Sequence, residues 1–243
     1  MDCLLSKACN RFNTEKCNEN CFIHKEFYFL LESSNIPQAY WEHKALYPIG
    51  QDYKTFETLA NIKDDIECFV EEGRFLIIYG CAGNSKSTWA INMMKSYFAQ
   101  ECIGNRYKPL GYFAYIPTFT LKSKDFENRE ERDKLLSDVA TRKLVTLDDI
   151  AVSQNSSYDN SILNHIVNER YSRGLATIFT SNIPPERLVR YMDDRIVDRI
   201  CSDICLEITG GSRREYTNTY QKRRKTQPFM AGDIRRDGCF GTH

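Results

Sequence analysis

This sequence lacks an excess of either charge, and it lacks any long apolar stretch. Lysine plus arginine number 33 and aspartate plus glutamate number 33, so the 243-residue chain has no net charge. Attraction to nucleic acid therefore has to come from local patches rather than from the molecule as a whole. No apolar run approaches the roughly 20 residues needed to cross a bilayer. The start, Met1-Asp2-Cys3-Leu4-Leu5-Ser6-Lys7, has no basic stretch followed by a long apolar core. These absences predict a cytoplasmic protein with no membrane partner. In that compartment the ten cysteines are thiols rather than a disulfide framework, with metal binding where they cluster. With 42% hydrophobic residues, the chain can bury the core of one medium domain carrying a small appendage.

What the chain does have is concentrated first in residues 74–89. The apolar run Phe75-Leu76-Ile77-Ile78-Tyr79 ends at Gly80, and the small-residue loop Cys81-Ala82-Gly83-Asn84-Ser85 follows. Lys86-Ser87-Thr88 then opens a segment of helical periodicity. Strand, loop and helix in this order make a phosphate-binding loop. Backbone N–H groups and the helix N-terminus converge on a polyphosphate, the lysine reaches its β- and γ-phosphates, and the next hydroxyl ligates magnesium. The segment from Gly80 to Thr88 is thus assigned to ATP and Ser87 to magnesium. Against G-x-x-x-x-G-K-[ST], one position departs: Ser85 stands where the second glycine belongs. A side chain there restricts φ and occupies space beside the triphosphate, so weaker binding and turnover are expected, with Ser85→Gly restoring them. The plainer alternative is a strand-to-helix turn that happens to hold a lysine.

Four of the cysteines, Cys3, Cys9, Cys17 and Cys21, fall in one short polar segment with His24 just after. Four soft ligands can close a tetrahedral zinc site, and so polar a segment has little other core to fold around. His24 can replace Cys21 in that set. An iron–sulfur cluster and free buried thiols are the alternatives.

Residues 27–51 read as an irregular linker with a short helix before it, because Ile36-Pro37 and Tyr47-Pro48 mark turns. A helix over 54–72 follows, with Phe56, Leu59, Ile62, Ile66 and Phe69 along one face. Beyond the loop, helices are expected near 87–100, 129–142, 158–171 and 187–201, and strands at 111–116, 143–147, 175–180 and 204–208. Strands alternating with helices predict an α/β domain built on a five-stranded parallel sheet covered by helices. The expected division is a cysteine-rich module and linker over 1–45, a nucleotide-binding domain over 46–215 and a basic tail over 216–243.

The apolar strand at 143–147 ends in Asp148-Asp149. In nucleotide hydrolases the first such carboxylate holds the magnesium shell and the second acid polarises the attacking water, and Asp148 and Asp149 take these roles here. Asn182, in Thr180-Ser181-Asn182 at the tip of the next strand, is placed to orient that water or bond the γ-phosphate; a helix-capping turn is the alternative. Arg195 and Arg199 stand one helical turn apart, and Arg213 and Arg214 follow the last strand. An arginine can stabilise charge on a transferring phosphoryl group across a subunit boundary, unless it merely pairs with Asp194 or Asp198. After the second strand, Tyr115, Thr118, Phe119, Thr120, Lys122, Ser123 and Lys124 are candidates for single-stranded DNA, through phosphate contacts and base stacking.

The order of these motifs resembles AAA+ ATPases of the DnaC/DnaI type, the bacterial and phage loaders of the replicative helicase, and their IstB relatives. The matching residues are the segment from Gly80 to Ser87, Leu147-Asp148-Asp149-Ile150, Thr180-Ser181-Asn182-Ile183-Pro184, Asp198-Arg199-Ile200 and Ile208-Thr209-Gly210-Gly211-Ser212-Arg213-Arg214. The resemblance implies an AAA+ core in which Asn182 is the sensor on the strand tip, Arg199 the finger reaching a neighbour's site and Arg214 the second sensor. It further implies a cysteine module that contacts a DnaB-type helicase, binding of single-stranded DNA, and self-association. The compact layout suggests a phage or mobile element. The rival expectations are an IstB-like transposition helper and a nucleotide-gated scaffold with weak hydrolysis.

Overall fold

A computed structural model of the chain describes residues 5, 9, 12–15, 17–18, 21–42, 52–151 and 157–212. Cys3, Arg213, Arg214 and the tail 216–243 lie outside the described residues. In chain order the elements are α1 (Phe22–Ser33), a 3-10 turn (Gln38–Tyr40), α2 (Tyr53–Asp64), α3 (Ile66–Glu71), β1 (Phe75–Gly80), α4 (Lys86–Glu101), β2 (Gly111–Tyr115) and α5 (Ile116–Ser123). There follow α6 (Arg129–Thr141), β3 (Leu144–Asp148), α7 (Ser157–Ser172), β4 (Thr177–Ser181), α8 (Pro185–Leu188), α9 (Asp194–Ile200) and β5 (Ile204–Ile208). No described helix is long and apolar enough to cross a membrane.

The five strands form one sheet in the order β2-β3-β4-β1-β5, and each neighbouring pair is parallel. Alternation along a strand sends successive side chains to opposite faces. On β1, Leu76 and Ile78 join a core shared with α1, α2, α3 and α4, while Phe75 and Ile77 join one shared with α5, α6, α7, α8 and α9. The expected α/β architecture is therefore present. Because β1 lies between β4 and β5, the chain leaves β1 in one direction and returns from the other. The carboxyl ends of β1, β3 and β4 flank the resulting crevice, which is where open parallel sheets bind ligands.

Several boundaries differ from the sequence reading for local reasons. The helix expected over 54–72 breaks at Asp65, whose backbone (φ −106°, ψ 38°) reorients the chain, and Ile66, Phe69 and Val70 of α3 enter the same core as Phe56 and Leu59 of α2. Residues 187–201 hold α8, a turn and then α9, which starts where the Asp193 carboxylate caps the Arg195 N–H at 2.9 Å. Part of the expected linker is helix α1. Its Ile23, Phe27, Leu30 and Leu31 recur at helical spacing and enter the same core as Met93 and Phe98 of α4. Just past α1, the Ser34 carbonyl accepts the Phe113 N–H (2.8 Å) and Asn35 Nδ2 donates to the Phe113 carbonyl (2.9 Å), so the N-terminal segment lies along the β2 edge.

One polar residue is buried deep in the second core. Arg170 of α7 is fully covered and donates to Thr177 Oγ1 (2.8 Å) and to the carbonyls of Val139 (2.9 Å), Arg142 (2.9 Å) and Ala176 (2.6 Å). It ties the end of α6 to the starts of β3 and β4.

Candidate nucleotide site

The loop after β1 takes the backbone shape that a phosphate cradle requires. Gly80 (φ 139°) and Gly83 (φ 84°) lie where L side chains are disfavoured, and both are tightly approached. A Cβ on Gly80 would stand 2.2 Å from the Ile208 carbonyl oxygen, and one on Gly83 would stand 2.5 Å from Ser212 Oγ. The segment after β5 thus presses against the loop. Asn84, fully buried, fastens the two together by donating from Nδ2 to the Ile208 carbonyl at 2.7 Å. On the far side the buried Asp52 holds that segment in place. Its Oδ1 accepts both the N–H and the hydroxyl of Thr209 (2.8 Å each), and its Oδ2 accepts the Gly210 N–H (2.9 Å).

Lys86 begins α4, and its ammonium folds back onto its own loop. It donates to the carbonyls of Gly80 (2.9 Å) and Cys81 (2.8 Å) and to Asn84 Oδ1 (3.1 Å). Burial lowers its pKa, while the charges of Cys81, Asp149 and Asp148 oppose the shift. A phosphate would exchange for these carbonyls, which are neutral acceptors, whereas a phosphate is a charged one. Across the crevice Asp148 is nearly buried, and burial raises its pKa against hydrogen bonds from Ser87 and Thr180 and the charge of Lys86. Asp149 is raised likewise, first by burial and then by Asp148, with Lys86 and an Asn182 hydrogen bond opposing. Asn182 Nδ2 donates to Asp149 Oδ1 at 2.6 Å.

These residues fit a magnesium-bound triphosphate: a helix N-terminus and an ammonium for phosphate, and two carboxylates whose charged forms burial disfavours, a cost that a divalent cation would offset. They line a groove of about 1360 Å³ that continues past Tyr115, Thr118 and Lys122 to Trp41. Arg199 does not line it; its guanidinium lies 5.2 Å over the Tyr171 ring at the junction of α7 and α9. Arg195, four residues earlier, is exposed.

Ser85 adopts φ 76° and ψ 21°, the left-handed conformation that the missing glycine would take freely. Strain of this kind belongs to the loop conformation itself, so its relief is read first in the stability of the fold. Relief of about 1–2 kcal/mol, offset by the roughly 0.5–1 kcal/mol of chain entropy that glycine costs, should make Ser85→Gly slightly more stable. Thermal unfolding should show a midpoint raised by about 1–4 °C, and titration calorimetry should show ATP affinity changed by less than about tenfold. An affinity gain near a hundredfold would mean that the serine side chain itself obstructs phosphate.

Cys3 of the expected zinc set lies outside the described residues, and among the described residues no group of three or more His, Cys, Asp or Glu side chains is placed to hold a metal ion. Cys9 and Cys21 instead pack against the core beside α1, as small apolar side chains do, and His24 stacks on Tyr28 at 4.3 Å. The expectation for α5 also narrows. Phe119, Thr120 and Ser123 face inward, and Lys124 pairs with the buried Asp159 (Nζ–Oδ2 2.9 Å), so they are not free to meet DNA. Tyr115, Thr118 and Lys122 stay exposed. Asp52 and Thr180 escaped the sequence reading: nothing near Asp52 signals a partner so far along the chain, and Thr180 sits unremarked beside Asn182.

No family model matches this sequence. Over 118 residues it is 28% identical to the replicative helicase loader DnaI of Bacillus subtilis (strain 168), a stretch that is 48% of this chain and 36% of that protein. A crystal structure of the DnaC helicase loader superposes with a TM-score of 0.61 at 19% identity, over 71% of this chain and 100% of that one. The replication initiator DnaA bound to AMPPCP and single-stranded DNA superposes with a TM-score of 0.55 at 17% identity, over 74% of this chain and 53% of that one. At these identities the fold alone is shared: a five-stranded parallel sheet covered by helices, as in these two structures.

Proposed function

We propose that this chain is an ATP-dependent loader that delivers a DnaB-type replicative helicase to single-stranded DNA in the cytoplasm, assembling with copies of itself. The observation that carries the reading is the convergence of the phosphate loop, Asp148, Asp149 and Asn182 on one crevice of a DnaC-like fold. Ser87 and Asp148 would hold magnesium, which supplies charge neutralisation between the phosphates. Asp149 would polarise the attacking water, with the Asn182 amide, which donates to its Oδ1, fixing the carboxylate's direction. Lys86 and the N-terminus of α4 orient the triphosphate. Arg199 would act in a neighbouring copy, and Arg214 would be the second sensor. Zinc at Cys3, Cys9, Cys17 and Cys21 stands as a separate proposal, supported by the four thiols in the sequence and not by their arrangement; elemental analysis of purified protein decides it.

A pull-down with the host replicative helicase, with and without ATP, tests the reading. Capture of the helicase together with ATP turnover is the expected result. Turnover without capture would favour the transposition helper, and capture without turnover a nucleotide-gated scaffold.

For DNA, the groove continues from the acidic pair to the exposed Tyr115, Thr118 and Lys122. A stacked base contributes about 1–3 kcal/mol, so Tyr115→Ala combined with Lys122→Ala should weaken single-stranded DNA binding by roughly ten- to a hundredfold in a fluorescence anisotropy titration. Unchanged binding would move the DNA contact to the basic C-terminal segment.

A further inference from the structure

We propose that Thr180 is a positioning residue for the acidic pair, one buried hydroxyl that aims both Asp148 and Asp149 into the groove. The inference rests on the nucleotide-hydrolase reading above and adds to it a residue which that reading does not use.

Two successive residues of a strand point to opposite faces, so Asp148 and Asp149 in continuous β conformation would not both face one ligand. Both nevertheless line the groove. The chain achieves this by leaving β3 at Asp148 and placing Asp149 in the left-handed region at φ 60°. A non-glycine residue there is strained and persists only where its surroundings determine it.

Thr180 supplies that determination from the neighbouring strand β4. Its Oγ1 donates to Asp148 Oδ1 at 2.7 Å and accepts the Asp149 N–H at 2.9 Å. Its backbone carbonyl accepts the Ile150 N–H at 3.0 Å, so the strained residue is bracketed on both sides. The threonine is 1% exposed. A hydroxyl is the smallest group that donates and accepts at once. Serine can do both, whereas valine, of the same shape as threonine, can do neither. With the kink fixed, Asn182 reaches Asp149 Oδ1. Thr180 thus acts through the two acids: it borders the groove, but its hydroxyl is engaged by Asp148 and Asp149.

The test compares Thr180→Val and Thr180→Ser with the parent for ATP turnover and for calorimetric affinity for ATP with magnesium. Loss of two hydrogen bonds, one of them to a charged group, should lower kcat of Thr180→Val by about ten- to a hundredfold. ATP affinity should stay within about threefold, because the phosphate loop is untouched. Thr180→Ser should restore kcat to within a few-fold of the parent, a rescue that a purely space-filling role would not give. Parental kcat in Thr180→Val would overturn the proposal. So would affinity falling in step with kcat, or serine failing as valine does. A parent that binds ATP in neither assembled nor isolated form would overturn the nucleotide reading itself, and the proposal with it, which sets that failure apart from the others.

Discussion

Replacing Arg199 by alanine should lower ATP turnover of the assembled protein by about a thousandfold and leave ATP binding nearly unchanged. The geometry supports this separation. Arg199 is in the last turn of α9, stacked over the half-exposed Tyr171, and outside the groove that holds Lys86 and the acidic pair. It cannot serve the crevice of its own chain from there, but it stands on a surface that a second copy can approach. A guanidinium delivered to a transferring phosphoryl group offsets charge that exists only in the transition state, so its loss falls on kcat and not on affinity. A thousandfold corresponds to about 4 kcal/mol, well above the roughly 0.5–1 kcal/mol that the Tyr171 stacking contributes at an exposed site. Steady-state turnover and calorimetry on the same preparation check both halves. Mixing Arg199→Ala with Lys86→Ala adds an internal control, since one supplies an intact crevice and the other an intact arginine; activity should partly return. Parental turnover in Arg199→Ala would shift the role to Arg195 or Arg214.

The second large effect concerns stability. Arg170→Ala should destabilise the domain by about 3–5 kcal/mol, the combined cost of buried acceptors left without a donor and of the cavity that the side chain leaves. The four acceptors of its guanidinium, three carbonyls and the Thr177 hydroxyl, are all uncharged. Burial therefore acts on the guanidinium without a countercharge among these partners and pushes its pKa down to about 9. Alanine would leave three backbone carbonyls dry and unpaired and open a cavity between α6, α7 and the sheet. Lysine would not repair it, because one ammonium cannot reproduce the planar fork that spans Val139, Arg142 and Ala176. In thermal unfolding the midpoint should fall by about 6–20 °C. A shift under about 3 °C would show that the surrounding helices collapse onto the gap.

The candidate crevice is legible in the sequence because its parts are local. Gly80, Lys86 and Ser87 stand within one turn-and-helix unit, and Asp148-Asp149 follow an unmistakably apolar strand. Parallel strands buried on both faces announce themselves as apolar runs, and β1 does so, with β3 interrupted only by Thr146 before its terminal aspartate. The rest depends on pairings that no spacing reveals. Asp52 meets Thr209 across most of the domain, and the two roles of Thr180 depend on the kink at Asp149. Helix α1 carries a readable apolar stripe at Ile23, Phe27, Leu30 and Leu31, which the linker expected from residue 27 onward passes over. The partial burial of Cys9 and Cys21 against the core gives the cysteine segment a source of order besides a metal.

The contact between Ser34-Asn35 and Phe113 bears on how the protein keeps to itself. Strand β2 is the outermost strand on its side of the sheet, and the N-terminal segment takes up both the N–H and the carbonyl of its central residue. An uncovered strand edge is a template on which another chain can add a strand of its own. A chain cut at residue 46 would lose that cover along with Phe27, Leu30 and Leu31 over α4. It would then aggregate edge to edge, an association that has nothing to do with ATP and that would pass for assembly in any assay reading size alone.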